Sequence, residues 1–320
     1  MSISLISKHR RALMGVAIIW IAIRHSMFPF TIKPIAFVLD VCGYGGVDLF
    51  LFLSSFGLYY AYKKESRYWP FIKRRLSRIL PYSIPIVIIL FLFGKRTVSE
   101  LFIDSFGLSI WLRNNWTFWY TSFLLWLYFL TPLYMKAFIK KPGLSTTLGI
   151  LLVCVICYFL PYHYVYMHFR TCVFLLGFYF AYLNDHKKGD FMCWPLVIVM
   201  ILGWGLLYYF FHHFGNETSH VLPFFFITPG LTLLCAWIID KIKLLEIPLD
   251  FLGIYTYQFY LVHEDILAFM VSHYGEWYRP GIHFDFLINM GAIIVALIVA
   301  ILYKKTIDYI MKKIENLKRA

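Results

Sequence analysis

Residues 43–82 read GYGGVDLFLFLSSFGLYYAYKKESRYWPFIKRRLSRILPY. From Gly46 to Tyr62 the only charged side chain is Asp48, whereas Lys63 to Arg78 holds seven Lys and Arg. An apolar run of spanning length that ends in a cationic block is the pattern of a transmembrane helix arriving at the cytoplasmic face. The same alternation recurs along the chain. Cutting at charged, Gly-rich and Pro-rich breaks predicts about ten spans of roughly 20 residues. They fall near 12–30, 41–61, 79–94, 116–139, 144–161, 170–184, 191–211, 221–239, 250–271 and 284–303. The expected fold is an all-α membrane protein, a single domain over 1–320 with no appended soluble domain.

Composition agrees. The 320 residues are 61% hydrophobic, 21% aromatic and 15% charged, against about a quarter charged in soluble domains. The net charge of +13 does not call for nucleic acid, because the cations sit between apolar runs, where they face anionic lipid. With the N-terminus inside, 23 of the 30 Lys and Arg fall in cytoplasmic segments. The rest are Arg24, Lys33, Lys95, Arg96, Arg113, Arg170 and Arg279. This asymmetry predicts cytoplasmic N- and C-termini and a multi-pass protein of the cytoplasmic membrane. Lys8, Arg10 and Arg11 precede a first run without a small-residue cleavage site, so it reads as a retained helix. The tail 304–320, with Ile307, Ile310, Met311, Ile314 and Leu317 on one face, predicts a short amphipathic C-terminal helix.

Ionisable groups at membrane depth are costly and mark sites. Helix 1 carries Arg24 and His25, helix 2 carries Asp48, and helix 9 carries His263, Glu264 and Asp265. At a rise of about 1.5 Å per residue, His25 lies roughly 21 Å from the inner boundary, His263 roughly 20 Å, and Asp48 about 9 Å below the outer one. His25, Asp48 and His263 are therefore expected to share a polar cavity nearer the outer face. Each histidine has an ordinary alternative, a hydrogen bond to a neighbouring helix. In the cationic block Arg74, Arg75 and Arg78 cluster, Arg75 and Arg78 three residues apart and able to share a helix face. Guanidinium forks suit phosphate; the positive-inside rule alone would also place arginines here.

Several motifs carry no chemistry in this reading. Cys154-x-x-Cys157 lies inside a span and reads as packing. His212, His213 and His220 read as solvated loop residues, no metal ligands are expected, and Asn216-Glu217-Thr218 is a sequon in too short a loop.

Taken together, these residues resemble the multi-pass membrane O-acyltransferases of acyltransferase family 3, which modify bacterial polysaccharides. The likeness covers VAIIWIAIRH ending at His25, GVDLF with the run to Leu58, RRLSRILPY from Arg74 to Tyr82, NWTFWYTSFLLWLYFLTP, and FLGIYTYQFYLVH ending at His263. The resemblance implies transfer of an acyl group, with acetyl from cytoplasmic acetyl-CoA as the expected case, to a hydroxyl of a cell-surface or lipid-linked glycan. It implies His25 as catalytic base and Arg75 and Arg78 as donor-binding residues, with Arg74 beside them. The chain departs from the family at Met14, where a basic residue is usual.

The chemistry gives a parallel reading. A histidine suits removal of a hydroxyl proton, and Asp48 is the candidate to orient His25, with His263 as rival. Trp119, Tyr120, Tyr257 and Tyr260 are candidate oxyanion or acceptor contacts. The rival function is a polytopic transporter or flippase, in which the intramembrane His and Asp relay protons or bind a polar substrate.

Overall fold

The computed structural model describes residues 1–25, 43–94, 96–214, 217–274 and 282–319. Among them no strand occurs. The first half comprises α1 (Ser4–Lys8), α2 (Arg10–Arg24), α3 (Gly45–Lys64), α4 (Tyr68–Leu92), α5 (Val98–Ser105), α6 (Ser109–Arg113) and α7 (Trp119–Phe138). The second comprises α8 (Pro142–Phe159), α9 (Tyr162–His168), α10 (Arg170–Asp185), α11 (Cys193–Phe214), α12 (Glu217–Val221), α13 (Phe224–Lys241), α14 (Lys243–Tyr274) and α15 (Ile282–Arg319). The last part of the first expected span, the start of the second, Lys33, Lys95, Asn216 and Arg279 lie outside the described residues.

Among the described residues five stretches are long and apolar enough to cross a membrane: Tyr68–Leu92, Pro142–Phe159, Asp190–Phe214, Ser219–Lys241 and Leu287–Leu317. Most side chains of four of them face outward, while Ser219–Lys241 is more than half buried. Along α8 only Thr146 and Cys157 are buried, while Leu151, Leu152, Tyr158 and Phe159 are exposed. A helix with so much apolar surface uncovered finds its complement in lipid tails. The chain is a multi-pass membrane protein. The helices of the central layer are shorter or more polar. The described part of α2 is 15 residues and α10 is 16, and α3 carries Asp48 and two serines near its middle.

Two expected boundaries move. The third span does not begin at 79, because α4 starts at Tyr68 and takes in the whole arginine block. Pro70 sits in the first helical turn, where a missing N–H removes no helical bond, and extended Arg67 precedes it. Arg74, Arg75 and Arg78 therefore project from a helix. The C-terminal tail is helical but not a separate interfacial element. It continues α15 without a break, anchored where the Tyr82 hydroxyl donates to Asp308 at 2.5 Å and Lys304 meets Asp308 at 2.7 Å.

Ionic contacts gather connections into two groups. Lys8 pairs with Asp240 at 2.6 Å, His9 sits between Asp240 and Glu246, Arg11 meets Asp250, and Lys63 meets Asp185. Elsewhere Tyr44 packs on Tyr166 and His220, Trp116 on Tyr166, and Arg113 pairs with Glu100. His220 is thus buried, contrary to a solvated loop, because it also stacks on Phe211. His212 and His213 are exposed.

The pairing of α2 with α14 positions the site. The two run parallel, with Arg11 on Asp250 at one end and His25 on Glu264 at the other. These contacts are about 21 Å apart along either axis. Gly15 permits the approach, since a Cβ there would lie 2.1 Å from the Leu249 carbonyl oxygen. One face of α2 buries Leu13, Ala17 and Ile18. Arg10, Met14, Ile21 and His25 line up on a neighbouring face at helical spacing.

Candidate active site

A cavity of about 430 Å³ runs beside that second face of α2, with Arg10, Met14, Ile21 and His25 all in its wall. Since Arg10 and His25 are fifteen residues apart on one helix, the cavity extends roughly 22 Å.

One end is cationic. Arg10, Lys64, Arg74, Arg75 and Arg78 contribute to it. Arg10 donates from Nε to the Leu53 carbonyl at 2.8 Å, which fixes the group against α3. Arg75 is half-buried, its guanidinium 5.3 Å from the Phe71 ring and its Nε without a hydrogen-bond partner among the described residues. Glu65, which reaches Arg74, is held mainly by Arg67, which donates from Nε and Nη2 at 2.9 Å each and from its backbone N–H at 3.2 Å. Those bonds hold the Glu65 carboxyl down at about 2. Arg74 touches Glu65 only at 3.4 Å. Among the described residues Arg10, Lys64, Arg75 and Arg78 have no carboxylate partner.

The other end holds imidazole and carboxylate. His25 Nδ1 lies 3.2 Å from Glu264 Oε1, and its ring meets that of His263 edge-on with centroids 4.9 Å apart. His263 is fully buried, and its Nδ1 donates to the Tyr260 and Phe259 carbonyls at 2.8 and 3.2 Å. A neutral His263 therefore presents an unprotonated Nε2, which has no partner among the described residues. Tyr260 also lines the cavity, with a buried hydroxyl that has no hydrogen-bond partner among the described residues. Trp119, Tyr120 and Tyr257 complete the aromatic wall. His25, His263 and Glu264 bring one ligand atom each within 4.8 Å of the others, a spacing that a divalent ion could bridge, while only His25 and Glu264 stand within hydrogen-bond reach.

Asp48 is not in that wall, which corrects the expectation that it orients His25. Both Asp48 and Arg170 are fully buried, and Arg170 Nη1 donates to Asp48 Oδ2 and, at 3.0 Å, to the Tyr44 carbonyl. The guanidinium also lies over the Tyr166 and Trp119 rings at 4.9 and 6.0 Å. A carboxylate in apolar surroundings needs a countercharge, and the first residue of α10 supplies it. The carboxylate beside His25 comes instead from α14, one position after His263. Reading a lone intramembrane cation and a lone intramembrane acid as each other's partners would have found the Asp48–Arg170 pair. The i to i+1 step from His263 to Glu264 was visible too, but helix pairing was needed to bring it to His25.

No curated protein and no solved structure matches the chain. A family model does: the acyltransferase domain model Acyl_transf_3 matches residues 12–304, from the foot of α2 to the middle of α15, and so encloses every residue of the cavity except Arg10. The chain belongs to acyltransferase family 3.

Proposed function

We propose that this membrane acyltransferase moves an acyl group, with acetyl as the expected case, from cytoplasmic acyl-CoA to a hydroxyl of a cell-surface or lipid-linked glycan. One observation carries the reading: a single cavity joins a cluster of uncompensated guanidinium groups to an imidazole–carboxylate pair. Half-buried cations without counterions, as Arg10 and Arg75 are, call for an anionic ligand, and the exposed Arg78 adds to their field. Coenzyme A places its anionic charge at the nucleotide end of a long flexible arm and its thioester at the other. Arg75 and Arg78, with Arg74 at the rim, hold the phosphates, and the arm rises between the helices toward His25.

At the far end the acceptor hydroxyl attacks the thioester carbonyl while the His25 imidazole takes its proton. Glu264 fixes the ring and stabilises the imidazolium that forms. Charge developing on the carbonyl oxygen meets hydrogen-bond donors, for which the unpartnered Tyr260 hydroxyl is best placed and Trp119 is a second candidate. Collapse of the tetrahedral centre breaks the carbon–sulfur bond, and the thiolate recovers the proton from His25. His263 buttresses the His25 ring.

The topology belongs to the same proposal: one domain of ten crossings with both termini cytoplasmic, in the cytoplasmic membrane. It is supported by the two groups of ionic and aromatic contacts, since the N-terminus meets the 185–190 and 240–250 connections while Tyr44 meets the 162–169 and 217–222 segments.

His25→Ala tests the reading. Transfer of labelled acetyl from acetyl-CoA to cell-envelope glycan is expected to fall at least about 100-fold, with the variant still present in the membrane fraction. Full retention of transfer removes His25 from the mechanism. Wild-type membranes that transfer nothing while moving a polar substrate would favour the transporter.

A further inference from the structure

The cationic end of the cavity has a side chamber next to it that shares part of its wall. A second hollow of about 400 Å³ is lined by Lys8, Arg10, Arg11, Gly57 and Tyr60 among others, and Arg10, Gly57 and Tyr60 belong to both hollows. Its cations differ in state. Lys8 is paired with Asp240 and Arg11 with Asp250, each at 2.6 Å. Arg10 has no carboxylate partner among the described residues. Its Nε is occupied by the Leu53 carbonyl, which orients the fork and leaves its terminal nitrogens for a ligand. The guanidinium lies flat on the bare backbone of α3 at Gly57, where a Cβ would come within 2.5 Å of Nη2 and 2.6 Å of Cζ. A glycine is required for that seat, and the seat holds Arg10 at the junction of the two hollows.

Coenzyme A carries its charge at two places, as Arg10 stands between two hollows: a diphosphate continues into the pantetheine arm, and a separate phosphomonoester stands on the ribose 3′ position. Resting on the coenzyme A reading above, we propose that Arg10 and the side chamber take the ribose 3′-phosphate while Arg75 and Arg78 take the diphosphate. The chain then selects coenzyme A thioesters over their 3′-dephospho counterparts. Arg10 approaches from α2 and the arginine pair from α4, so the two anionic groups are gripped from different walls. A phosphomonoester is matched by a fixed guanidinium fork better than by a mobile ammonium.

Calorimetric titration of the full-length protein in detergent, with coenzyme A and with 3′-dephospho-coenzyme A, separates the possibilities. Wild type is expected to bind coenzyme A at least about tenfold more tightly, the scale of one charge-assisted hydrogen bond. Arg10→Gln and Gly57→Ala are each expected to bring that ratio close to one. Gly57→Ala carries the test even if Arg10→Gln does not fold, because it keeps every charged residue and only displaces the guanidinium. Arg75→Gln is expected to weaken both ligands by the same factor and leave the ratio intact. Equal binding of the two ligands by wild type, or equal weakening of both by Arg10→Gln, overturns the role of Arg10 and leaves the coenzyme A reading standing. Failure of wild type to bind either ligand overturns both.

Discussion

Arg170 and Arg75 both carry a guanidinium into the helical bundle, and only one of them meets a carboxylate there. Arg170 is wholly enclosed and bonded to Asp48, with the Tyr44 carbonyl and two aromatic rings around it. Arg75 is half-buried beside Arg10 and Arg78, with Phe71 under it and no acid. Burial is expensive for a cation in either place. The first pair settles its charge within the protein and so serves the fold; the second leaves a field that an incoming anion neutralises. Compensation, rather than burial, separates a structural charge from a binding one.

The largest expected effect comes from breaking the compensated pair. Asp48→Leu strands a buried guanidinium and is expected to destabilise the protein by about 3–5 kcal/mol, read as a lowered unfolding midpoint in detergent. Adding Arg170→Met to it removes the stranded charge and should restore most of the loss. An unchanged midpoint for Asp48→Leu alone would show that the pair is not what holds α3 to α10.

The uncompensated side predicts the opposite pattern. Arg75→Gln should leave the unfolding midpoint unaltered within about 0.5 kcal/mol, because no partner is stranded. Coenzyme A binding should weaken by about 10- to 100-fold, the worth of a hydrogen bond to a charged group. A large stability loss without a change in binding would place Arg75 with Arg170 and undo the contrast.

A smaller effect is expected at the other end of the cavity. Glu264→Gln keeps the shape beside His25 but removes the charge that favours the imidazolium. The transfer rate should fall about tenfold with donor binding unchanged. Asp48→Asn cannot imitate this, because Asp48 has no contact with His25.

Much of this was legible in the residues. The apolar runs are unmistakable where the helix faces lipid, as in α8 and α11, and the intramembrane His25, Asp48 and His263 were visible as expensive groups. What escaped was partnership. Asp48 and Arg170 stand far apart in sequence and are joined only by the packing of α3 on α10, which hydropathy does not encode. Glu264 was read as one charge of a cluster, and its role needed the parallel register of α2 and α14. Met14 looked like a missing cation, yet Arg10 stands one turn below it on the same face, a substitution that helical spacing permits and a fixed motif position hides. In sequence the arginine block precedes a helix, because its cations break the apolar run; α4 keeps going, with Arg74, Arg75 and Arg78 lining the cavity.

The smallest expected effect concerns Glu65, a carboxylate beside the cationic end. Glu65 is held at about 2, well below its ordinary 4.5, chiefly by the hydrogen bonds of Arg67. A carboxyl depressed in the folded state contributes stability that is fully present above its ordinary value and is lost as pH falls through its folded one. Wild type should therefore unfold at a slightly higher temperature than Glu65→Gln at every pH above about 4.5, and the gap should close as the pH approaches 2. Salt should shrink the gap at neutral pH, because the contact lies where water and ions reach it. The clamp sharpens the contrast drawn from Arg170 and Arg75. Because Arg67 absorbs most of the Glu65 charge, Arg74 keeps much of its own, and the field at the cavity mouth stays positive even with a carboxylate next to it. A gap that instead widened on acidification would mean that folding raises the Glu65 carboxyl above its ordinary value, and the clamp by Arg67 would then be refuted.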